Sequence, residues 1–439
     1  MINEGNTFKG SLLIEGDKIS KIFKEEVPDN ILQRAEMAIN GEDKWLIPGV
    51  IDTHVHFREP GLTEKGDFYT ESKAAVAGGV TSFMDMPNTI PFTTSAGLFE
   101  QKAAIAAEKS LANFSFYLGA TDTNVDEIIN ADPRKVCGIK VFTGSSTGNM
   151  PVIENDLLER IFAQSPFLVA THNEDEEMIR LNIQKYMAEF GGNPIPIIFH
   201  ELIRSSDACY SATAQVIELA NKYNTRLHVL HLSTAKELAL FENKPPEEKR
   251  ITAETCVNYL WFDDYDYEKL GAKIKCNPSI KKEKSRLALL KAVENGTIDT
   301  IATDHAPHLL REKEGDALHA ASGIPSIQHA LPMMLELAKR GNFTREQVVE
   351  KMCHNPARIF GIEKRGFIRK GFYADLTLID PNDPFGVENE NLYYKCGWSP
   401  LEEMTFSHRV THTFVNGELV YNQGSFNENS RGRLLEFVR

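Results

Sequence analysis

Nowhere does this sequence reach 18 uninterrupted apolar residues, the length that marks a membrane-spanning helix. The segment Met1–Gly16 carries acidic residues and lacks an apolar run of signal-peptide length, so the expected compartment is the cytosol. Its six cysteines (137, 209, 256, 276, 353 and 396) include no CxxC pair, and in a chain of this size they read as reduced, mostly buried thiols. Positive charge is short as well: 48 Lys and Arg stand against 62 Asp and Glu, a formal net charge of −14. Such a surface repels nucleic acid and acidic lipid headgroups, so neither a nucleic acid nor a membrane is an expected partner. It also repels an anionic substrate at long range, so any anion site must be built locally from Arg, His or metal charge. Internal repeats and low-complexity segments are absent too.

What remains is an ordinary globular composition, with 42% hydrophobic and 25% charged residues. The 439 residues suffice for one large barrel of about 250 residues or more with a smaller appended domain. Between residues 49 and 365 apolar strands alternate with amphipathic helices. The strand candidates are Gly49–His54, Val80–Met86, Ala112–Gly119, Val136–Phe142, Phe167–His172, Arg226–His231, Arg250–Thr255 and Ile298–Asp304. Helical stretches such as Lys65–Ala77, Phe99–Ser110, Ala208–Tyr223 and Lys284–Glu294 separate them. Eight such alternations predict an α/β chain with a parallel (β/α)8 TIM barrel; Lys273–Cys276 is a further strand candidate that would shift the count. The pattern at both ends is different. Gly10–Ile22, Ala374–Asp380 and Thr411–Tyr421 read as short antiparallel strands, the last a hairpin turning at Asn416–Gly417. A chain that leaves a β-domain and returns to it encloses an insertion. The expected division is a small β-sandwich domain from residues 1–48 and 366–439 around a metal-dependent barrel at 49–365.

In a TIM barrel, polar residues at the carboxyl ends of strands converge on the catalytic mouth. Here those ends carry His54, His56, Asn88, Lys140, His172, His231 and Asp304. His54 and His56 are alternate residues of one strand and share a face. His172 and His231 close two consecutive strands, while His228, three residues before His231, is expected to face the helices instead. Histidine and aspartate are first-row metal ligands. Lys140 joins them only if burial frees its amine to take up CO2 as a carbamate, a carboxylate-like group able to bridge two cations; otherwise it is a lysine snorkelling towards the mouth. Taken singly, each position has a bland reading: Asp304 could cap a helix, and paired histidines can share a strand end by chance. Their occurrence in barrel order points to a metal cluster. Water on such a cluster loses its proton near neutral pH, and a hydroxide bridging two ions can attack a carbonyl with Asp304 as general acid and base.

The segments Asp52-Thr-His-Val-His-Phe-Arg-Glu-Pro-Gly61 and Ala302-Thr-Asp-His-Ala-Pro-His-x4-Lys313 resemble the two signature motifs of dihydroorotases, and Met86-Pro-Asn-Thr89 resembles a third segment of that family. His354-Asn-Pro-Ala-Arg358 and Gly366-x4-Gly371-x2-Ala-Asp375 resemble the barrel exit of amidohydrolases at large. The resemblance implies two divalent ions per subunit, usually Zn2+, with His54, His56 and Asp304 on one, His172 and His231 on the other, and carboxylated Lys140 or an aspartate as bridge. It implies Arg58, Asn88 and His308 as grips on the substrate carboxylate, and Asn277 with the backbone of Gly323–Pro325 at the ring amide. The implied partner is a small molecule, dihydroorotate or N-carbamoyl-aspartate, with a homodimer open as the assembly. Two departures stand out. Asn258 replaces a common histidine after the seventh strand, and Lys281 or Lys282 stands where an arginine often follows Asn-Pro; both are expected to alter local packing. The alternatives are a hydantoinase, dihydropyrimidinase or allantoinase, or a non-catalytic subunit that scaffolds a transcarbamoylase. Thr143–Gly148, with glycines that permit hinge motion, is either a lid or a plain surface loop.

Overall fold

The computed structural model describes residues 1–144 and 155–439, so most of the lid-or-loop stretch Thr143–Gly148 lies outside the described residues. Eight parallel strands form the barrel: β1 (Val50–Val55), β2 (Val80–Asp85), β3 (Asn113–Phe116, continued as Leu118–Gly119), β4 (Ile139–Phe142), β5 (Val169–His172), β6 (Leu227–Val229), β7 (Ile251–Cys256) and β8 (Thr300–Ala302). Each pairs in parallel with the next. The ring closes where Val55 pairs with His305 and His56 N donates to His305 O at 2.7 Å. Each strand candidate falls on one of these elements. Lys273–Cys276 does not join them: Gly271–Ile274 is a 3-10 turn that leads into the loop carrying Asn277.

The helices begin where side chains satisfy their first amides. Asp67 accepts from Thr70 N while Thr70 Oγ1 returns the bond, boxing the start of Phe68–Ala77. Ser95 and Ser205 cap Ala96–Lys109 and Ser206–Tyr223 by accepting from Leu98 N and Ala208 N, each cap contributing about 1 kcal/mol. The apolar faces of these helices close over the strands, and the core includes Phe57, Phe68, Phe83, Phe114 and Phe116. Five of the six cysteines are buried and all six are free thiols.

Both chain ends meet in one antiparallel sheet of five strands, in the order Ser425–Phe426, Glu418–Asn422, Arg409–Val415, Leu376–Asp380, Trp45–Pro48. The turn between the second and third of these strands places Asn416 at φ 52° and Gly417 at φ 83°, a backbone that Asn-Gly adopts readily. The hairpin Ser11–Glu15 with Lys18–Phe23 packs against this sheet through Ile19, Leu376, Leu12, Ile14 and Phe414, making the second layer of a β-sandwich. Among the described residues no helix is long and apolar enough to cross a membrane.

Candidate metal centre

Barrel closure is what assembles the site. The β1–β8 bridge at Val55 and His305 sets Asp304 beside β1, so that its Oδ1 lies 3.2 Å from His54 Nε2 and 3.1 Å from His56 Nε2. The remaining ring nitrogens are held from behind, His54 Nδ1 by Glu254 Oε1 at 2.9 Å and His56 Nδ1 by Asn88 Oδ1 at 2.8 Å. These contacts aim both Nε2 atoms at the same carboxylate oxygen. On the far side, parallel pairing puts Phe142 opposite His172, and His172 Nδ1 faces His231 Nε2 at 2.8 Å. The ring centroids of His54 and His231 are 5.3 Å apart, so the two groups make one continuous cluster. Three of the residues around it, Arg58 (φ 71°), His231 (φ 40°) and Asp304 (φ 48°), hold left-handed backbone that costs a non-glycine residue of order 1–3 kcal/mol.

A cavity opens over the cluster, lined by His54, His56, Arg58, Asn88, Lys140 and His172 together with His231, Asn277, Asp304, Ser322 and Gly323. Of the side chains expected at the site, only His308 is absent from this lining, and of the expected backbone Gly323–Pro325 only Gly323 lines it. The Nε2 of His308 lies 3.1 Å from Arg58 Nη2 and 3.1 Å from Ser322 O. His308 lies against the arginine and the Ser322–Gly323 side of the cavity. Arg58 donates through Nε to Pro307 O at 3.0 Å and has no ion pair among the described residues. Asn277 Oδ1 is a buried acceptor with no hydrogen-bond partner among the described residues, and His231 Nδ1 is a buried ring nitrogen in the same position.

Burial lowers the pKa of His56 to about 4 and moves His172 and His231 in the same direction, so these imidazoles are neutral at pH 7 and offer lone pairs. Burial also brings the Lys140 ammonium down to about 7. It opposes ionisation of Asp304 too, but His54, His56 and Lys140 outweigh it and hold that pKa below the ordinary carboxylate value. Neutral imidazoles, an ionised carboxylate and an amine that can be freed near pH 7 form a donor set suited to first-row divalent ions. The converging Nε2 atoms of His54 and His56 on Asp304 fit such an ion, and so do the facing nitrogens of His172 and His231.

Two residues at the centre carry no obvious sequence signal. Glu254, on β7, receives Thr53 Oγ1 at 2.7 Å, contacts His54, and lies 3.4 Å from both His231 N and His228 Nε2. His228 therefore faces the barrel interior, bonded to Thr252 Oγ1 at 2.8 Å, and not the helices as its spacing from His231 predicts. The strand ends at Val229 and the chain bends at His231, so period-two counting fails across that stretch. Asp52 is also buried; it accepts from His54 N at 3.2 Å and Thr303 Oγ1 at 2.6 Å, tying β1 to the segment before Asp304. Asn258 donates to Thr303 O at 3.3 Å, and Lys281 Nζ donates to Arg204 O at 2.8 Å, both local packing roles.

Residues 45–420 match the family model described as the amidohydrolase family. The chain belongs to that family. This amidohydrolase is 34% identical to a dihydroorotase of Methanosarcina acetivorans, over 97% of this chain and 91% of the relative. It is 33% identical to an allantoinase of Streptomyces avermitilis, over 90% of this chain and 88% of the relative. Among solved structures, the L-hydantoinase of Arthrobacter aurescens superposes with a TM-score of 0.88 at 27% identity, covering 95% of this chain and 93% of that one. The protein is a metal-dependent cyclic amidohydrolase, which removes the non-catalytic scaffold from the alternatives.

Proposed function

We propose that this amidohydrolase is a dihydroorotase, catalysing the reversible hydrolysis of dihydroorotate to N-carbamoyl-L-aspartate, with ring closure the direction of de novo pyrimidine synthesis. The observation that carries this reading is Arg58, a buried guanidinium on the cavity wall with no carboxylate partner among the described residues. A desolvated cation facing a substrate cavity calls for an anion, and a guanidinium presents a planar fork to a carboxylate. Dihydroorotate carries that carboxylate on its ring; dihydrouracil, hydantoin and allantoin do not. The dihydroorotase name of the Methanosarcina relative supports the same substrate.

His54, His56 and Asp304 would hold one divalent ion and His172 and His231 the other, with zinc the expected metal and Lys140, as a CO2-derived carbamate, shared between them. Ions held there supply Lewis-acid polarisation of the amide carbonyl and lower the pKa of bound water to about 7 from about 15.7. Asp304, ionised at neutral pH, accepts a proton from the attacking water and delivers it to the ring nitrogen as the C–N bond breaks. Arg58 grips the carboxylate beside Asn88, and His308 keeps the guanidinium in place. Asn277 Oδ1, unpartnered, accepts the ring N–H.

A substrate panel with zinc-loaded protein tests the reading. A kcat/KM for dihydroorotate at least a hundredfold above those for dihydrouracil, hydantoin and allantoin is expected. Preference for allantoin or hydantoin would overturn it in favour of the allantoinase or hydantoinase alternative.

A further inference from the structure

Lys313 closes the second signature segment, yet it lies outside the metal cluster and the cavity lining. Its buried Nζ donates to three backbone carbonyls: Ala321 O at 2.7 Å, Gly323 O at 2.8 Å and Lys275 O at 3.0 Å. Lys275 Nζ in turn donates to Ala320 O, Gly323 N donates to Lys275 O at 2.9 Å, and His308 Nε2 lies 3.1 Å from Ser322 O. Of the four consecutive carbonyls 320 to 323, three thus accept from a buried lysine, and the fourth, Ser322 O, lies against His308. Neither lysine has an ion pair among the described residues, and an ammonium has three hydrogens to place. Burial lowers the pKa of Lys313 to about 7 and that of Lys275 to about 8, so backbone carbonyls stand in for the water each has lost.

Packing alone does not ask for two charged groups here; a methionine would fill the space without desolvating an ammonium. What the lysines hold is the wall of the cavity. Ser322 and Gly323 line it directly, across from the metal cluster's own side chains. The wall has no slack: Gly323 sits at φ 151°, and a Cβ there would lie 2.5 Å from Ala306 O and 2.8 Å from His308 Cδ2. Since His308 touches both Ser322 O and Arg58, the wall and the arginine are set by one side chain.

We propose that Lys313, assisted by Lys275, is a positioning residue that locks the Ser322–Gly323 wall, and that substrate binding depends on this lock while the hydrolytic step does not. The assignment rests on the reading of this cavity as the substrate site. Metal-loaded Lys313→Met, Lys275→Met and Gly323→Ala proteins are compared with wild type on whichever cyclic amide wild type hydrolyses best. The Gly323→Ala change disturbs the same wall without touching either ammonium, so it serves even if Lys313→Met folds poorly.

The expected result is a KM raised tenfold or more in Lys313→Met and Gly323→Ala and by a smaller factor in Lys275→Met. In all three, kcat stays within about threefold and metal content is unchanged; Lys313→Arg should recover part of the affinity. A KM within twofold of wild type in both Lys313→Met and Gly323→Ala would overturn the proposal, as would kcat and metal content falling while KM stays constant. The outcome is separable from the substrate assignment. If wild type prefers allantoin or hydantoin, the dihydroorotase reading fails, and the split between KM and kcat on that substrate still decides the role of Lys313.

Discussion

Arg58→Met removes a buried guanidinium while keeping much of its volume. In the free protein that guanidinium donates to Pro307 O at 3.0 Å and stands 3.1 Å from His308, with no carboxylate in ion-pair contact among the described residues and Asp85, Asp304, Glu312 and Glu71 acting on it only from further off. Losing the bond to Pro307 O costs about 1–3 kcal/mol if the carbonyl stays buried, while removing a buried cation that lacks an ion pair returns energy of similar size. The melting temperature of the unliganded variant should therefore move little. The substrate complex is another matter. With its partner gone, the desolvated ring carboxylate loses about 3–5 kcal/mol, the cost of breaking one side of a buried pair, or roughly a hundredfold to several thousandfold in kcat/KM. Steady-state kinetics on dihydroorotate, run beside a slow neutral substrate such as dihydrouracil, isolates the effect. The neutral ring has nothing for Arg58 to grip, so its kcat/KM should change less than about fivefold. Parallel losses on both substrates, or a loss below fivefold on dihydroorotate, would remove Arg58 from carboxylate recognition.

Glu254→Gln keeps the shape of the residue that holds His54 Nδ1 but weakens its charge-assisted bond; zinc affinity measured by competition with a chelator should fall by about 10- to 100-fold, and an unchanged affinity would make Glu254 purely structural. Lys140→Ala should bind less than one equivalent of zinc tightly and lose nearly all activity, and short carboxylic acids such as acetate should restore part of it; retained activity without them would exclude Lys140 from the bridge. His329 is pulled down to about 3 by burial and is neutral in the folded state, whereas it takes up a proton in the unfolded chain below about 6.5. Its contribution is fully present above pH 6.5 and is lost as the pH falls towards 3, amounting to about 2 kcal/mol by pH 5. Urea unfolding of wild type and His329→Phe at pH 7 and 5 checks this; an equal loss in both proteins would contradict it.

Much of the barrel is legible in the sequence because strands such as Val80–Asp85 and Val169–His172 are buried along their whole length and carry only small or apolar residues until their last position. The pair His54 and His56 is legible because alternate residues share a face, and that sharing survives the register shift between Asp52 and Val55. Lines of inference that depend on regularity beyond a strand end fail. His228 faces inward because β6 stops at Val229 and the chain bends at His231. Glu254 escapes notice because a single glutamate inside a strand has no spacing to mark it; only closure of the barrel across β8 brings it against His54. The contact between His308 and Arg58 is likewise hidden, because a motif states which residues gather but not which of them touch. The two lysines under the Ser322–Gly323 wall are invisible to pattern reading, since their partners are backbone carbonyls that every residue possesses.

The claim on which the rest depends is that side chains from β1, β4, β5, β8 and the bend after β6 together hold two ions that drive hydrolysis of a carboxylate-bearing ring. Zinc titration of chelator-stripped protein, with turnover of dihydroorotate followed at each addition, tests it directly. Activity should be absent at the start and should rise to a plateau at two equivalents per chain. Full activity in the stripped protein, or a plateau of zinc binding at two equivalents with no turnover of dihydroorotate, would contradict it.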